Sequence, residues 1–224
     1  METLYQTLRI LHIGAGMMAF FVAPVALLAR KGGKPHAAWG NVFFWAMVAV
    51  AASAAPLTFL NPNVFLFLVA VFSFHLSLSG YRAVTRRRAA DPARAARIDL
   101  RIAAVMILFY LALAGWGIHL FTGRPHHPFG YVSLAFAGIG LRFAVAEVYG
   151  FFRPSGDRMA WWYDHMQGMA GSYIAAVSAF SAVNFVFLPD VLRWLWPTLI
   201  GAPLLAYWKR RYQRKFRGSV ARPA

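Results

Sequence analysis

Seven apolar stretches, each long enough to cross a lipid bilayer, occupy nearly all of this 224-residue chain. A helix needs about 20 mostly apolar residues to span ~30 Å of hydrocarbon, and its backbone groups must be hydrogen-bonded within the segment itself. The sequence therefore predicts an all-α, polytopic integral-membrane bundle of seven transmembrane helices. The predicted spans are residues 8–29, 38–60, 63–84, 102–122, 129–152, 160–187 and 190–208.

The composition leaves little chain for a domain outside the membrane. Hydrophobic residues make up 60% of the sequence and charged residues only 13%, whereas a soluble domain carries about 25% charged residues. We therefore expect one transmembrane domain over residues 1–208, followed by a basic cytoplasmic tail over residues 209–224.

Lysine and arginine collect in alternate loops, and this pattern predicts the orientation. They follow the first, third, fifth and seventh stretches, whereas the other loops are nearly free of them. Because cytoplasmic loops carry the excess of positive charge, we expect the N-terminus outside and the C-terminus in the cytoplasm. The formal net charge of +16 then indicates attraction to anionic lipid at the cytoplasmic face and not nucleic-acid binding.

The sequence lacks the residues that several well-known kinds of functional site require. The four lysines all lie outside the predicted spans, so none is placed to hold retinal as a Schiff base. The chain has no cysteine, which excludes thiolate metal sites and disulfides. It also has no HExxH metalloprotease motif, no phosphate-binding glycine loop and no serine nucleophile elbow. Whether the protein is an enzyme stays open.

Histidines within the spans form the first candidate site. His12 and His119 are predicted at similar depth, ~10 Å outward of their span centres at 1.5 Å per residue, and each shares a helix face with small residues. One interpretation is close helix packing around a hydrogen-bonded histidine; the other is a haem lying against the small residues. On the second, His12 and His119 on the outer side, and His75 and His165 on the inner side, would bind haem b or a transition metal in a redox protein that passes electrons across the membrane or to a quinone.

A second candidate site centres on Arg142, which is predicted near the middle of the fifth span. A charged arginine at that depth must face protein or water, and we expect Glu147 or Asp164 to pair with it. One interpretation is an ion pair that only fixes helix packing. The other is a transporter or proton-linked permease with a polar cavity open to the cytoplasm, in which Arg142, Glu147, Asp164 and Tyr173 bind a small solute beside His165.

Two further hypotheses remain open at this point. His126 and His127 are adjacent in a predicted outer loop, and with His12 and His119 they are candidates for an external copper or zinc site; adjacent loop histidines are also commonly just solvated. The whole protein is alternatively a non-catalytic membrane scaffold whose polar groups only stabilise it.

Three runs of sequence resemble a family of predicted bacterial integral-membrane proteins of unknown function. The runs "LHIGAGMMAFFVAPVALLARKGG" and "KPHAAWGNVFFWAM" are similar to the opening of that family, and "DHMQGMAGSYIAAVSAF" is similar to its later His-x3-Met-x2-Ser-Tyr helix. The resemblance implies a multi-pass protein of the bacterial inner membrane and no particular activity. The positions shared with the family would be His12, His36, His165, Met169, Ser172 and Tyr173.

Overall fold

The computed structural model describes residues 1–220, with the side chains of residues 1–216, and this part of the chain is all-helical. The seven-helix fold class predicted from the sequence is confirmed, and each predicted span falls on one helix. The helices within these residues are α1 (Glu2–Leu28), α2 (Lys34–Leu60), α3 (Val64–Arg87), α4 (Pro92–Gly123), α5 (Pro128–Phe152), α6 (Ala160–Asn184) and α7 (Asp190–Val220). The predicted tail continues α7 as far as Val220, and residues 221–224 lie outside the described residues.

Five of the helices, α1 to α5, are long and apolar enough to cross a membrane. Large apolar side chains such as Ile10, Phe21, Val105 and Leu108 are exposed on the outer surface of the bundle. The surface of a soluble protein rarely carries so much apolar area, so this surface fits a lipid bilayer. Helix α6 lies among α1, α3 and α7, and its serines Ser172, Ser178 and Ser181 are fully buried inside the bundle.

Short loops with local capping residues join the helices. The Asp91 carboxylate accepts a hydrogen bond from the Arg94 backbone N–H and caps α4, with Pro92 at the first helical position. Asn63 caps α3 in the same way. Between α1 and α2 the chain reverses through Gly32, whose φ of 78° favours glycine.

The central pair of helices is α3 and α6, which approach each other closely at two glycines. A Cβ atom built on Gly168 would lie 2.5 Å from the Cα atom of Gly80, so neither position accommodates a side chain. Further along, the Ser172 hydroxyl donates a hydrogen bond to the Ser73 carbonyl at 3.0 Å. Small residues and such hydrogen bonds are the usual means by which helices associate in membranes.

Two helical hairpins flank this central pair. The α1–α2 hairpin packs on one side, against α6 and α3, and the α4–α5 hairpin packs on the other, against α3; α7 lies against α6 and α5. Helices α5 and α6 do not pack against each other in the described part of the chain. We call the end formed by the loops after α1, α3 and α5 and by the C-terminal part of α7 the basic end. The gap between α5 and α6 opens there.

Candidate functional site

A cavity of about 680 Å³, with charged and apolar residues along its walls, occupies the basic end, in the gap between α5 and α6. Residues of α3 and α4 form its other walls, and the loop after α5 reaches its rim. Volumes of ~300–1,000 Å³ are typical of small-molecule sites. The charged residues along its walls are the arginines Arg82, Arg86, Arg87, Arg142 and Arg153 and the carboxylates Asp99, Glu147 and Asp164.

One face of α3 supplies the polar wall of the cavity. His75, Ser79, Arg82 and Arg86 all line the cavity, and they follow one another at intervals of four, three and four residues. Residues three and four apart lie on the same helix face, so this polar stripe is visible in the sequence once the heptad-like spacing is counted. The sequence predicts a site only at His75 among these residues, and it counts the arginines with the basic residues at and after the end of the third span.

His75 lies at the deep end of the cavity between a tyrosine and a glutamate. Its side chain is buried, and Nδ1 is 2.8 Å from the Tyr110 hydroxyl oxygen, which is itself fully buried. On the other side, Nε2 is 3.3 Å from Glu147 Oε2, although the angle at Nε2 does not meet that of a hydrogen bond. Glu147 also accepts a hydrogen bond from the Ser79 hydroxyl. The Glu147 side chain is 26% exposed, so it connects the buried histidine with the cavity.

Ion pairs hold the outer part of the cavity together. Asp99 of α4 accepts from Arg82 and from Arg86 of α3, the second at 2.7 Å. Arg86 also lies 3.7 Å from Asp164 of α6. Arg87 places its guanidinium 4.4 Å from the centre of the Trp161 ring. These contacts join α3, α4 and α6 at the mouth and engage most of the positive charge there.

Arg142 has neither of the partners that the sequence suggested. Glu147 faces His75 and Ser79, Asp164 faces Arg86, and within the described residues no carboxylate lies at ion-pair distance from Arg142. Its side chain is exposed along the cavity wall. Lys209 of α7 lies within electrostatic range of both Arg142 and Asp164. The cavity therefore carries a guanidinium that no carboxylate among the described side chains neutralises.

The structure places His12 and His119 far apart in the bundle, because α1 and α4 do not pack together in the described residues. His12 Nδ1 is 2.9 Å from the Ser53 hydroxyl oxygen. Since that hydroxyl donates to the Ala49 carbonyl, the histidine N–H donates to Ser53 and links α1 to α2. His119 is exposed on α4, and beside it Gly115 faces open space.

The remaining predicted site residues have local contacts of their own. His127 Nδ1 accepts a hydrogen bond from the Phe129 backbone N–H and caps α5, and His126, exposed with a φ of 60°, is 2.7 Å from the Tyr131 hydroxyl. Tyr173 packs against the apolar contact between α1 and α2 and does not line the cavity. Within residues 1–220 no three histidine, aspartate or glutamate side chains converge to hold a metal ion.

His165 contacts His36, a histidine that the sequence indicates only through the family resemblance. The rings of His36 and His165 are 6.1 Å apart between their centres and nearly perpendicular. His75 faces α4 and α5 instead, so the two inner histidines proposed as a ligand pair lie on opposite sides of α3. Near His36, the Lys31 ammonium donates to the carbonyls of Ala26 and Leu27, and burial lowers the pKa of Lys31.

Comparisons of this chain with protein-family models, with curated proteins and with solved structures find no match. The family resemblance described above therefore stays a prediction.

Proposed function

We propose that this protein is a multi-pass transporter of the bacterial inner membrane that binds a small organic anion in the cavity and couples its movement to a proton. The single observation that carries the proposal is the unpaired Arg142 in a cavity of about 680 Å³ among membrane-spanning helices. Polar and ionisable groups at such positions are costly, and in membrane proteins they mark substrate and proton pathways.

The charge of the cavity supports an anionic substrate. Five arginines face three carboxylates along its walls, and Asp99 and Asp164 are already engaged by Arg82 and Arg86. Arg142 keeps its guanidinium free, and Lys209 adds a second positive charge nearby. A guanidinium presents paired N–H donors that match a carboxylate or a phosphate. Aromatic and apolar wall residues, among them Phe143 and Trp161, suit the organic part of such an anion.

The pair formed by His75 and Glu147 supports the coupling to a proton. Glu147 is open to the cavity, whereas His75 is buried behind it with Tyr110 on its far side. A proton that enters from the cavity has a carboxylate and an imidazole within 3.3 Å of each other to hold it. The carboxylate and the imidazole therefore form a site in the cavity wall at which a proton can be held while the substrate is bound.

Binding to Arg142 is tested with the full-length protein in detergent and in proteoliposomes. We would screen small carboxylates and organic phosphates for thermal stabilisation, since a ligand that binds the folded state raises its stability. The uptake of each hit is then measured with and without a pH gradient. We expect Arg142→Gln to weaken binding at least tenfold and Arg124→Gln, an exposed loop arginine at the opposite end, to leave it unchanged. Equal binding by wild type and Arg142→Gln contradicts the proposal.

The role of Glu147 is tested by separating binding from coupling. We expect Glu147→Gln to retain the anion but to lose the accumulation that a pH gradient drives in the wild type. Accumulation by Glu147→Gln that still follows the pH gradient contradicts the proposed proton coupling.

The haem hypothesis is the alternative to this transporter proposal, and one measurement separates the two. The transporter proposal predicts that an absorption spectrum of the purified protein, oxidised and then reduced with dithionite, lacks a Soret band. A Soret band with sharp reduced α and β bands, at one haem per chain, would replace the transporter proposal with a membrane cytochrome.

A further inference from the structure

The contact between His36 and His165 joins two parts of the bundle that are distant in the sequence. His36 lies in the first turn of α2 and His165 near the start of α6, and their ring centres are 6.1 Å apart. Neither residue lines the cavity, which lies on the other side of α3. The transporter proposal therefore does not use this pair.

Backbone carbonyl groups hold both rings. His36 Nδ1 is 2.8 Å from the Ala26 carbonyl oxygen, and His165 Nδ1 is 2.9 Å from the Gly80 carbonyl oxygen. The Ala26 carbonyl belongs to the last turn of α1, where carbonyls lack helical partners. Because a carbonyl only accepts hydrogen bonds, each Nδ1 must carry the proton. In the neutral form of each ring, Nε2 then holds the free lone pair.

Both Nε2 atoms remain available to a ligand. Neither forms a hydrogen bond within the described residues, and neither is sealed from the surface. A histidine that ligates a metal typically donates its other ring N–H to a carbonyl or a carboxylate, which fixes its tautomer and orientation. His36 and His165 both have this arrangement before any metal is present.

The distance between the rings fits two ligands of one ion. With metal–nitrogen bonds of about 2.0–2.1 Å, two imidazoles on one ion have ring centres roughly 5 Å apart at a tetrahedral N–metal–N angle and roughly 6.4 Å apart at a linear one. The observed 6.1 Å lies toward the linear end of this range, which is typical of an ion with few ligands. Met169 is one turn beyond His165 on the same helix face, and its side chain lies over Gly80, whose carbonyl holds His165.

We propose that His36 and His165 bind one transition-metal ion at the basic end of the bundle through their Nε2 atoms, with water or an external ligand completing the coordination. Imidazole ligands suit zinc and copper, whereas an added thioether favours copper(I). Met169 therefore distinguishes between the two ions. We expect its thioether to bind copper(I) and not zinc, so Met169→Leu should weaken copper(I) binding and leave zinc binding unchanged.

The experiment measures binding of Zn²⁺ and Cu⁺ to the detergent-purified full chain, carrying an affinity tag without histidines, in competition with a chromogenic chelator. We expect one equivalent per chain for at least one of the ions. His36→Asn and His165→Asn are each expected to weaken it at least tenfold. The matched control is the double variant His126→Asn/His127→Asn, which removes two adjacent loop histidines and is expected to retain the ion. Absence of binding, or loss of binding only in the loop variant, overturns the proposal.

A second measurement on the wild type avoids any dependence on how the variants fold. Diethylpyrocarbonate modifies accessible imidazole nitrogens, and mass spectrometry identifies the modified residues. We expect saturating metal to protect His36 and His165 from modification while the exposed His119 stays reactive. Equal modification of His36 and His165 with and without the metal overturns the proposal.

Discussion

At the scale of single residues, burial decides what a hydrogen bond contributes to stability. The chain contains the same contact twice: Tyr110 with His75 at 2.8 Å, buried in the bundle, and Tyr131 with His126 at 2.7 Å, exposed at its end. Water replaces a lost partner at the exposed pair but cannot reach the buried one. A buried polar atom without a partner costs about 1–3 kcal/mol.

We therefore expect Tyr110→Phe to lower the free energy of unfolding by about 1–3 kcal/mol, because it leaves His75 Nδ1 buried without its partner. Tyr131→Phe removes the same hydroxyl from the exposed pair, and we expect its effect to stay within about 0.5 kcal/mol, as for most surface changes. Denaturant unfolding of both variants in one detergent measures the difference. If the two substitutions lower the free energy of unfolding equally, burial of the pair does not determine how much the hydrogen bond contributes.

At the scale of single residues, the sequence singles out side chains that are unusual for their surroundings. His75, Arg142 and Glu147 were singled out because lipid tolerates them poorly, and the structure places all three at the cavity. Tyr110 was missed because a tyrosine within an apolar helix is unremarkable until its hydroxyl has a partner. That partner lies on another helix, 35 residues away in the chain.

At the scale of helices, glycines set how closely α3 and α6 approach. Gly168 faces the backbone of Gly80, so an added methyl group would have to displace a whole helix. Gly138 on α5 shows the opposite situation, since a Cβ atom there meets nothing within 4 Å. The α3–α6 approach also positions the Gly80 carbonyl that holds His165.

We expect Gly168→Ala to destabilise the bundle by about 1–3 kcal/mol or more, the usual cost of overpacking. Gly138→Ala should leave stability unchanged or slightly raised, since alanine favours the helix over glycine. Thermal unfolding of both variants in the same detergent tests this. If Gly168→Ala unfolds at the same temperature as the wild type, α3 and α6 leave room for a side chain at this position, and the close approach of the two helices is contradicted.

At the scale of the whole molecule, the arrangement of the helices leaves a gap that becomes the cavity. Helices adjacent in sequence pack as hairpins except α5 and α6, which are separated at the basic end. At the other end, Trp194 of α7 packs against Phe65 and Phe136 and closes the bundle. The cavity therefore opens toward one side of the membrane only, and the orientation decides which compartment it faces.

The orientation is testable because the chain contains no cysteine. We expect Arg124→Cys, in the loop after α4, to react with a membrane-impermeant maleimide in intact cells. Gly156→Cys lies in the basic loop after α5, where an added side chain meets open space, and it should react only after the cells are permeabilised. The reverse pattern would place the basic end, and the mouth of the cavity, outside.

The sequence by itself determined the seven helices, because the length of an apolar run acts locally. It did not determine all of their ends, since α4 begins at Pro92, well before its predicted span, and α7 continues to Val220, well beyond its own. It also determined which end of the bundle carries the basic loops, since their alternation follows from the number of spans. The tertiary structure alone decided which side chains meet: Glu147 with His75 and not Arg142, and His36 with His165. The physical reason is that neighbouring helices are selected by close contacts between small residues such as Gly80 and Gly168, and these contacts depend on the three-dimensional fit of two surfaces far apart in the chain.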